Sequence, residues 1–139
     1  GVIPGVTDKE YYTNSFHIPV EQEISCYDKI NLEGPYHRFT NAGHISYVEF
    51  DAPPVDNMEA FEKIIRHMAA ADLGYAGINF PIDECLVCGN RGIFEAECPS
   101  CQSAEIRRVR RITGYLSTVN RFNDAKKAEL KGRKSHFKM

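Results

Sequence analysis

His44-Ile45-Ser46-Tyr47-Val48-Glu49-Phe50, halted at Asp51-Ala52-Pro53-Pro54, decides how the middle of the chain is read. β-branched and aromatic residues suit a pleated, half-buried backbone, and the two prolines withhold the donors that a strand needs to continue. A strand is expected over residues 44–50. Beyond it, Asp56 with Glu59 three positions later has the form of a capping box. Met58, Phe61, Ile65 and Met68 then recur at helical spacing until Gly74 offers a C-terminal stop. Gly77-Ile78-Asn79-Phe80-Pro81 reads as another short strand. Strand, helix, strand is the grammar of a crossover between parallel strands, so the fold class is α/β. Two strands cannot bury both faces of a sheet, and these are expected to belong to a larger α/β body.

Upstream, residues 1–20 carry Pro4 and Pro19 with polar punctuation between them and read as loop. Downstream, the texture changes at Asp83 to cysteine pairs and glycine, and then to a basic segment. Residues 123–134, opening on Asn123 as a cap and containing Ala125, Ala128 and Leu130, read as a short terminal helix. Three segments are expected: a body over 1–82, a cysteine module over 83–104, and a basic loop with a terminal helix over 105–139.

With 42% hydrophobic and 26% charged residues in 139, the composition excludes disorder, collagen-like and coiled-coil architectures. No apolar run approaches the roughly 20 residues that span a bilayer, and nothing resembles a secretion signal, so a cytoplasmic location without a membrane partner is expected. The chain begins with Gly1 and no initiator Met, as a processed product or a piece of something longer would. The formal charge of -2 hides an asymmetry: residues 1–104 sum to -10 and residues 105–139 to +8. A cationic tail of this kind can meet nucleic acid or an acidic partner, or dock on the acidic remainder of its own chain.

Four of the five cysteines form Cys85-x2-Cys88-x9-Cys98-x2-Cys101. Each pair bends a tight loop so that two thiolates face one centre, with Gly89 and Pro99 supplying turn chemistry, and two such knuckles complete a tetrahedral sulfur shell for zinc. The same four ligands would serve iron, whereas two disulfides would need an oxidising compartment. Four protein ligands leave no open position, so the metal is expected to hold the fold rather than perform chemistry. Cys26 stands apart and reads as a small buried thiol. His67 reads as a surface or edge residue of its helix, while His17, His37 and His44 are candidates for a site that spacing alone does not assemble.

Past the cysteines stands Arg110-Arg111-Ile112-Thr113-Gly114-Tyr115-Leu116, then Arg121-Phe122-Asn123 and Lys126-Lys127-Ala128-Glu129-Leu130. On its residue type alone Gly114 is a turn glycine. The stretch resembles the glycyl-radical loop of the anaerobic (class III) ribonucleoside-triphosphate reductases, in which Arg-x-x-Gly-Tyr-Leu follows a four-cysteine zinc module and precedes a basic terminal helix. The likeness extends upstream through Tyr11-Tyr12-Thr13-Asn14-Ser15, Gly43-His44-Ile45-Ser46-Tyr47 and Ile78-Asn79-Phe80-Pro81, nearly the whole chain. Thr113 stands where some family members have Cys, and Arg133-Lys134-Ser135-His136 departs from the more usual Arg-Val-x-His ending.

The resemblance implies that residues 1–82 close the C-terminal part of a ten-stranded α/β barrel and that Gly114 holds a radical there. Loss of a Cα hydrogen leaves a planar centre flanked by amide nitrogen and carbonyl, and no side chain obstructs it. By the family pattern the radical takes a hydrogen atom from a facing cysteine upstream of this chain. The thiyl removes the ribose 3′ hydrogen of a ribonucleoside triphosphate, and loss of the 2′-hydroxyl follows. The resemblance further implies an iron-sulfur activating enzyme that cleaves S-adenosylmethionine, a homodimer, and Asn14 and Ser15 on the substrate side. The rival reading is a zinc-ribbon nucleic-acid-binding module, which accounts for the basic tail but not for the upstream strand-helix-strand pattern.

Overall fold

Two strands and a crossover helix form where the sequence places them, with ends moved by one or a few residues. The computed structural model describes residues 1–4, 7–13, 16–41, 43–112 and 115–136. β1 spans Ser46–Glu49, α2 spans Met58–Ala70 and β2 spans Ala76–Asn79, and the two strands pair in parallel with Tyr47 opposite Gly77. Before them lies α1, Cys26–His37, whose N-cap Ser25 accepts the N–H of Asp28. Residues 1–4, 7–13 and 16–20 contain no helix or strand, as their prolines suggest.

The caps of α2 differ from expectation. Asn57, not Asp56, caps α2 by accepting the N–H of Ala60 at 3.0 Å, and the helix ends at Ala70 with Asp72 at φ 59°, two residues before Gly74. Its buried residues are Ile64 and Met68, whereas Met58 and Ile65 are exposed. The true inward stripe is therefore rotated from the one read at Met58 and Ile65. Cys26, Ile30, Val48, Phe50, Ile64 and Met68 form the core between the two helices and the parallel pair. Cys26 is buried as a small apolar residue would be.

Beyond the parallel pair the chain changes to an antiparallel sheet. β3 is Ile82–Cys85, β4 Arg91–Gly92, β5 Ile106–Ile112 and β6 Tyr115–Thr118, in the order β4-β3-β5-β6. This sheet crosses the boundary expected at residue 104, so the cysteine module and the start of the basic segment share one ladder. The last ladder pair is Ile112 with Tyr115. A 3-10 turn over Val119–Arg121 leads to α3, Asp124–Gly132, capped by Asn123 accepting from Lys126 N–H as the sequence indicates.

Beyond α3 the tail returns to the body. Lys134 N–H donates to Val20 O at 2.8 Å, and His136 N–H to Glu49 O at 2.9 Å, so the tail lies along the β1 edge that β2 leaves free. Arg133 pairs with Glu49 and Glu129, and Ser135 Oγ donates to Asp51 at 2.9 Å. The cationic tail thus docks on its own acidic body. Among the described residues no helix is long and apolar enough to cross a membrane.

Candidate functional site

Each cysteine pair closes on itself through the backbone. Gly89 N–H donates to Cys85 O at 3.0 Å, and Gln102 N–H donates to Cys98 O at 2.8 Å. The residue after each second cysteine takes a left-handed backbone, Gly89 at φ 74° and Gln102 at φ 58°. Glycine meets that demand at no steric cost in the first knuckle. In the second knuckle the demand falls on Gln102, so Pro99 is not the residue that turns the chain there.

All four sulfurs lie within 4.8 Å of one another, with Cys85 to Cys101 and Cys88 to Cys98 both at 3.5 Å. A zinc ion bonding sulfur at about 2.3 Å sets tetrahedral sulfur edges of about 3.8 Å, which these separations bracket. Cys85 and Cys98 are buried, while Cys88 and Cys101 are exposed and pair with no disulfide partner. Burial opposes ionisation of Cys98, but the N–H groups of Cys101 and Ser100 and the neighbouring thiols overcome it and hold Cys98 down to about 6. At Cys101 the Ser103 N–H favours the thiolate, yet Cys85, burial and the other thiols push it up to about 12. Four thiolates cannot share one centre without a cation to offset them, and that need is what a metal meets.

The centre is tied to β5 by Asp83, whose side chain is fully buried. Its carboxylate accepts from Phe94 N–H at 2.9 Å, Arg108 at 3.2 Å and Arg110 at 2.6 Å. Although burial would raise its pKa, these donors hold the carboxyl below the usual range. Arg108 also donates to Phe94 O at 2.7 Å, joining strand, loop and knuckle at one point. Glu84 on the same strand pairs with Arg91 and Arg107.

From this clamp β5 runs to Ile112, which is fully buried. Thr113 and Gly114 follow in the sequence and lie outside the described residues, as do Asn14 and Ser15. On the far side, Tyr115 OH accepts from Lys126 Nζ at 2.6 Å, and the same ammonium lies 3.9 Å from the ring centroid. On the near side, the Arg111 guanidinium lies 3.0 Å from the centroid of Tyr47. The ring has room because its partner across the ladder is Gly77, where a Cβ would stand 2.6 Å from Tyr47 Cε1. Arg111 and Tyr47 therefore join the antiparallel sheet to the parallel one.

The structure assembles the three scattered histidines. His17 stacks on His44 with ring centroids 4.3 Å apart, His37 meets His44 edge-on at 4.6 Å, and His37 Nε2 is 2.8 Å from Ser46 Oγ. Burial, with His17 and His37 adding to it, holds His44 down to about 4. Beneath them lies Glu33, bonded to Lys29 at 2.6 and 2.7 Å. Burial would raise the Glu33 pKa, but His17 and Lys29 reverse this and bring it to about 2. The i, i+4 spacing of Lys29 and Glu33 could have revealed that pair. No local pattern announces Asp83, whose partners stand 25 and 27 positions downstream. His67 reaches Asn31 at 2.8 Å and stays at the edge of α2.

An α/β body joined by one sheet to a four-thiol centre and a hairpin is the class of protein defined by this geometry. Residues 2–136 match the family model described as anaerobic ribonucleoside-triphosphate reductase, and the chain belongs to that family. It is 43% identical over 148 residues to the anaerobic ribonucleoside-triphosphate reductase of Escherichia coli (strain K12), covering 99% of this chain and 20% of that protein. To the enzyme of the same name from Enterobacteria phage T4 it is 37% identical over 146 residues, covering 98% of this chain and 24% of that protein. The chain thus spans between a fifth and a quarter of the length of these relatives. A solved structure titled anaerobic ribonucleotide reductase superposes with a TM-score of 0.70 at 21% identity, covering 88% of this chain and 19% of the other, which is a likeness of fold. The family expected from Arg110 to Leu130 is therefore the family found.

Proposed function

We propose that this chain is the C-terminal, radical-bearing region of an oxygen-sensitive ribonucleotide reductase that converts ribonucleoside triphosphates to deoxyribonucleotides, with Gly114 as the radical residue. One observation carries the reading: in a chain matched over residues 2–136 by this family, a single sheet runs from the cysteine centre along β5 to the Ile112–Tyr115 pair. Glycine alone lets the Cα become planar without a side chain in the way; three residues before it Arg111 lies on Tyr47, and immediately after it Tyr115 is held by Lys126.

In this reading residues 1–82 close the barrel body, 83–104 hold zinc through Cys85, Cys88, Cys98 and Cys101, and 105–139 carry the radical loop and its docking helix. Bound zinc supplies rigidity and no chemistry, because four thiolates fill its coordination. The remainder of the reductase lies upstream and provides the facing cysteine, and the assembled enzyme is a cytoplasmic homodimer. Asn14 and Ser15 stand on the substrate side. The activating partner is an iron-sulfur enzyme that generates a 5′-deoxyadenosyl radical from S-adenosylmethionine, and that radical must reach the Cα of Gly114. A radical residue enclosed in a barrel is out of its reach, so the zinc module and hairpin swing out together for activation.

The test is electron paramagnetic resonance of the full-length protein, incubated without oxygen with the activating enzyme, S-adenosylmethionine and a reductant. A glycyl doublet is expected, and Gly114→Ala abolishes it while zinc content and fold persist. An undiminished doublet in Gly114→Ala sinks the assignment.

A further inference from the structure

Between the two sheets lies a cavity of about 120 Å3, walled by Lys29, Tyr47, Glu49, Arg111, Arg133 and Lys134 among others. These residues come from α1, β1, β5 and the tail, so the cavity exists only once distant parts of the chain have packed. A volume of a few waters accommodates one tetrahedral oxyanion and excludes a nucleoside.

The wall carries more positive than negative charge. Lys29 is held by Glu33 and Arg133 by Glu49 and Glu129, which leaves four cations against three carboxylates. Arg111 lies on the π face of Tyr47, where burial lowers its pKa, and Lys134 is exposed. The Nε of Arg133 is buried without a hydrogen-bond partner among the described residues. A buried N–H left unmet is costly, and with Nη1 engaged by Glu49 and Nη2 by Glu129 this Nε–H is the Arg133 donor open to an anion's oxygen. A phosphate would meet that donor and offset the surplus charge.

We infer that this cavity binds a phosphate-type oxyanion, either free phosphate or the terminal phosphate of a nucleotide, seated among Lys29, Arg111, Arg133 and Lys134. Occupancy would tie β5 to the tail and to β1, and so fix the strand that leads to residue 114. The inference rests on packing and charge, not on radical chemistry, and is measured without activation, so it stands or falls apart from the reductase reading.

The test is arginine modification by phenylglyoxal in the full-length, metal-loaded protein, mapped to Arg111 and Arg133 by mass spectrometry at constant ionic strength. Inorganic phosphate or pyrophosphate at millimolar concentration is expected to slow modification of Arg111 several-fold, whereas chloride is not. Protection by phosphate and also by a nucleoside triphosphate, but not by the nucleoside, makes the occupant a nucleotide's phosphate. Protection by inorganic phosphate alone makes it free phosphate. Lys134→Gln, a change at an exposed side chain, should require several-fold more phosphate for the same protection. Unchanged modification in the presence of every phosphate compound overturns the inference, as does protection identical in Lys134→Gln.

Discussion

Glu49 and His136, 87 positions apart, bond to each other in both directions: His136 N–H donates to Glu49 O at 2.9 Å, and Glu49 N–H donates to His136 Nδ1 at 2.9 Å. The second bond needs Nδ1 unprotonated. Burial, with Lys29 and Arg133 beside it outweighing Glu33, holds the His136 pKa down to about 4. The tail is thus fastened by a histidine that must stay neutral.

A pH dependence follows, with a defined sign. Above the ordinary histidine value of 6.5 the imidazole is neutral whether the chain is folded or not, and the contact is at full strength. As pH falls from 6.5 toward 4, the unfolded chain takes up a proton that the folded chain refuses, so stability is lost. His44, also held down to about 4, and His37, lowered by burial, add to the loss with the same sign. Each histidine removes up to about 1.4 kcal/mol per pH unit. Denaturant midpoints measured across this range should fall on acidification, and His136→Gln should flatten the slope, since one of the three histidines held below the ordinary value is removed. A midpoint that holds or rises on acidification contradicts the account.

The cysteine centre predicts a metal requirement. Metal analysis should find about one zinc per chain, and Cys98→Ser should lose tight binding, because three thiolates and a hydroxyl make a poorer shell. Hydrogen exchange of β3 and β5 should then rise, since Cys85 closes β3 and pairs with Ile106. A chain equally protected without metal, with its cysteines oxidised in pairs, overturns this reading.

Asp83→Asn keeps the side chain's shape and removes its charge, leaving Arg108 and Arg110 without their shared carboxylate. Breaking a buried pair costs about 3 to 5 kcal/mol, and the lower end applies because Arg108 remains about one-third exposed at 32%. The expected result is a lower unfolding midpoint with zinc content unchanged. An unchanged midpoint would show that the clamp contributes nothing.

What the sequence reveals and what it hides separate by range. The crossover was legible because Val48 and Phe50, Phe61, Ile65 and Met68, and Ile78 carry strand and helix periodicity within short windows. The cysteine knuckles were legible because both ligands of each pair lie within four residues. The first helix was not, because Gly34 and Pro35 sit inside it and read as turn punctuation, while its burial falls partly on Lys29, Glu33 and His37. Their polarity hides an inward face that exists only because they pair with one another and with His17 and Ser46. The inward stripe of α2 was misread by one position, Ile65 for Ile64, since two adjacent isoleucines fit either phase. Asp83, Glu49 and His136 meet partners far away in the chain, and nothing local announces them.

In the proposed reading the radical resides on Gly114. Its most direct test is mass spectrometry of the full-length protein after activation without oxygen and then exposure to air. A glycyl radical adds oxygen at its Cα, and the backbone breaks there. A C-terminal fragment that begins at Tyr115 is expected, formed only after activation and absent in Gly114→Ala. A chain left intact by air after activation, or one cut at another residue, contradicts it.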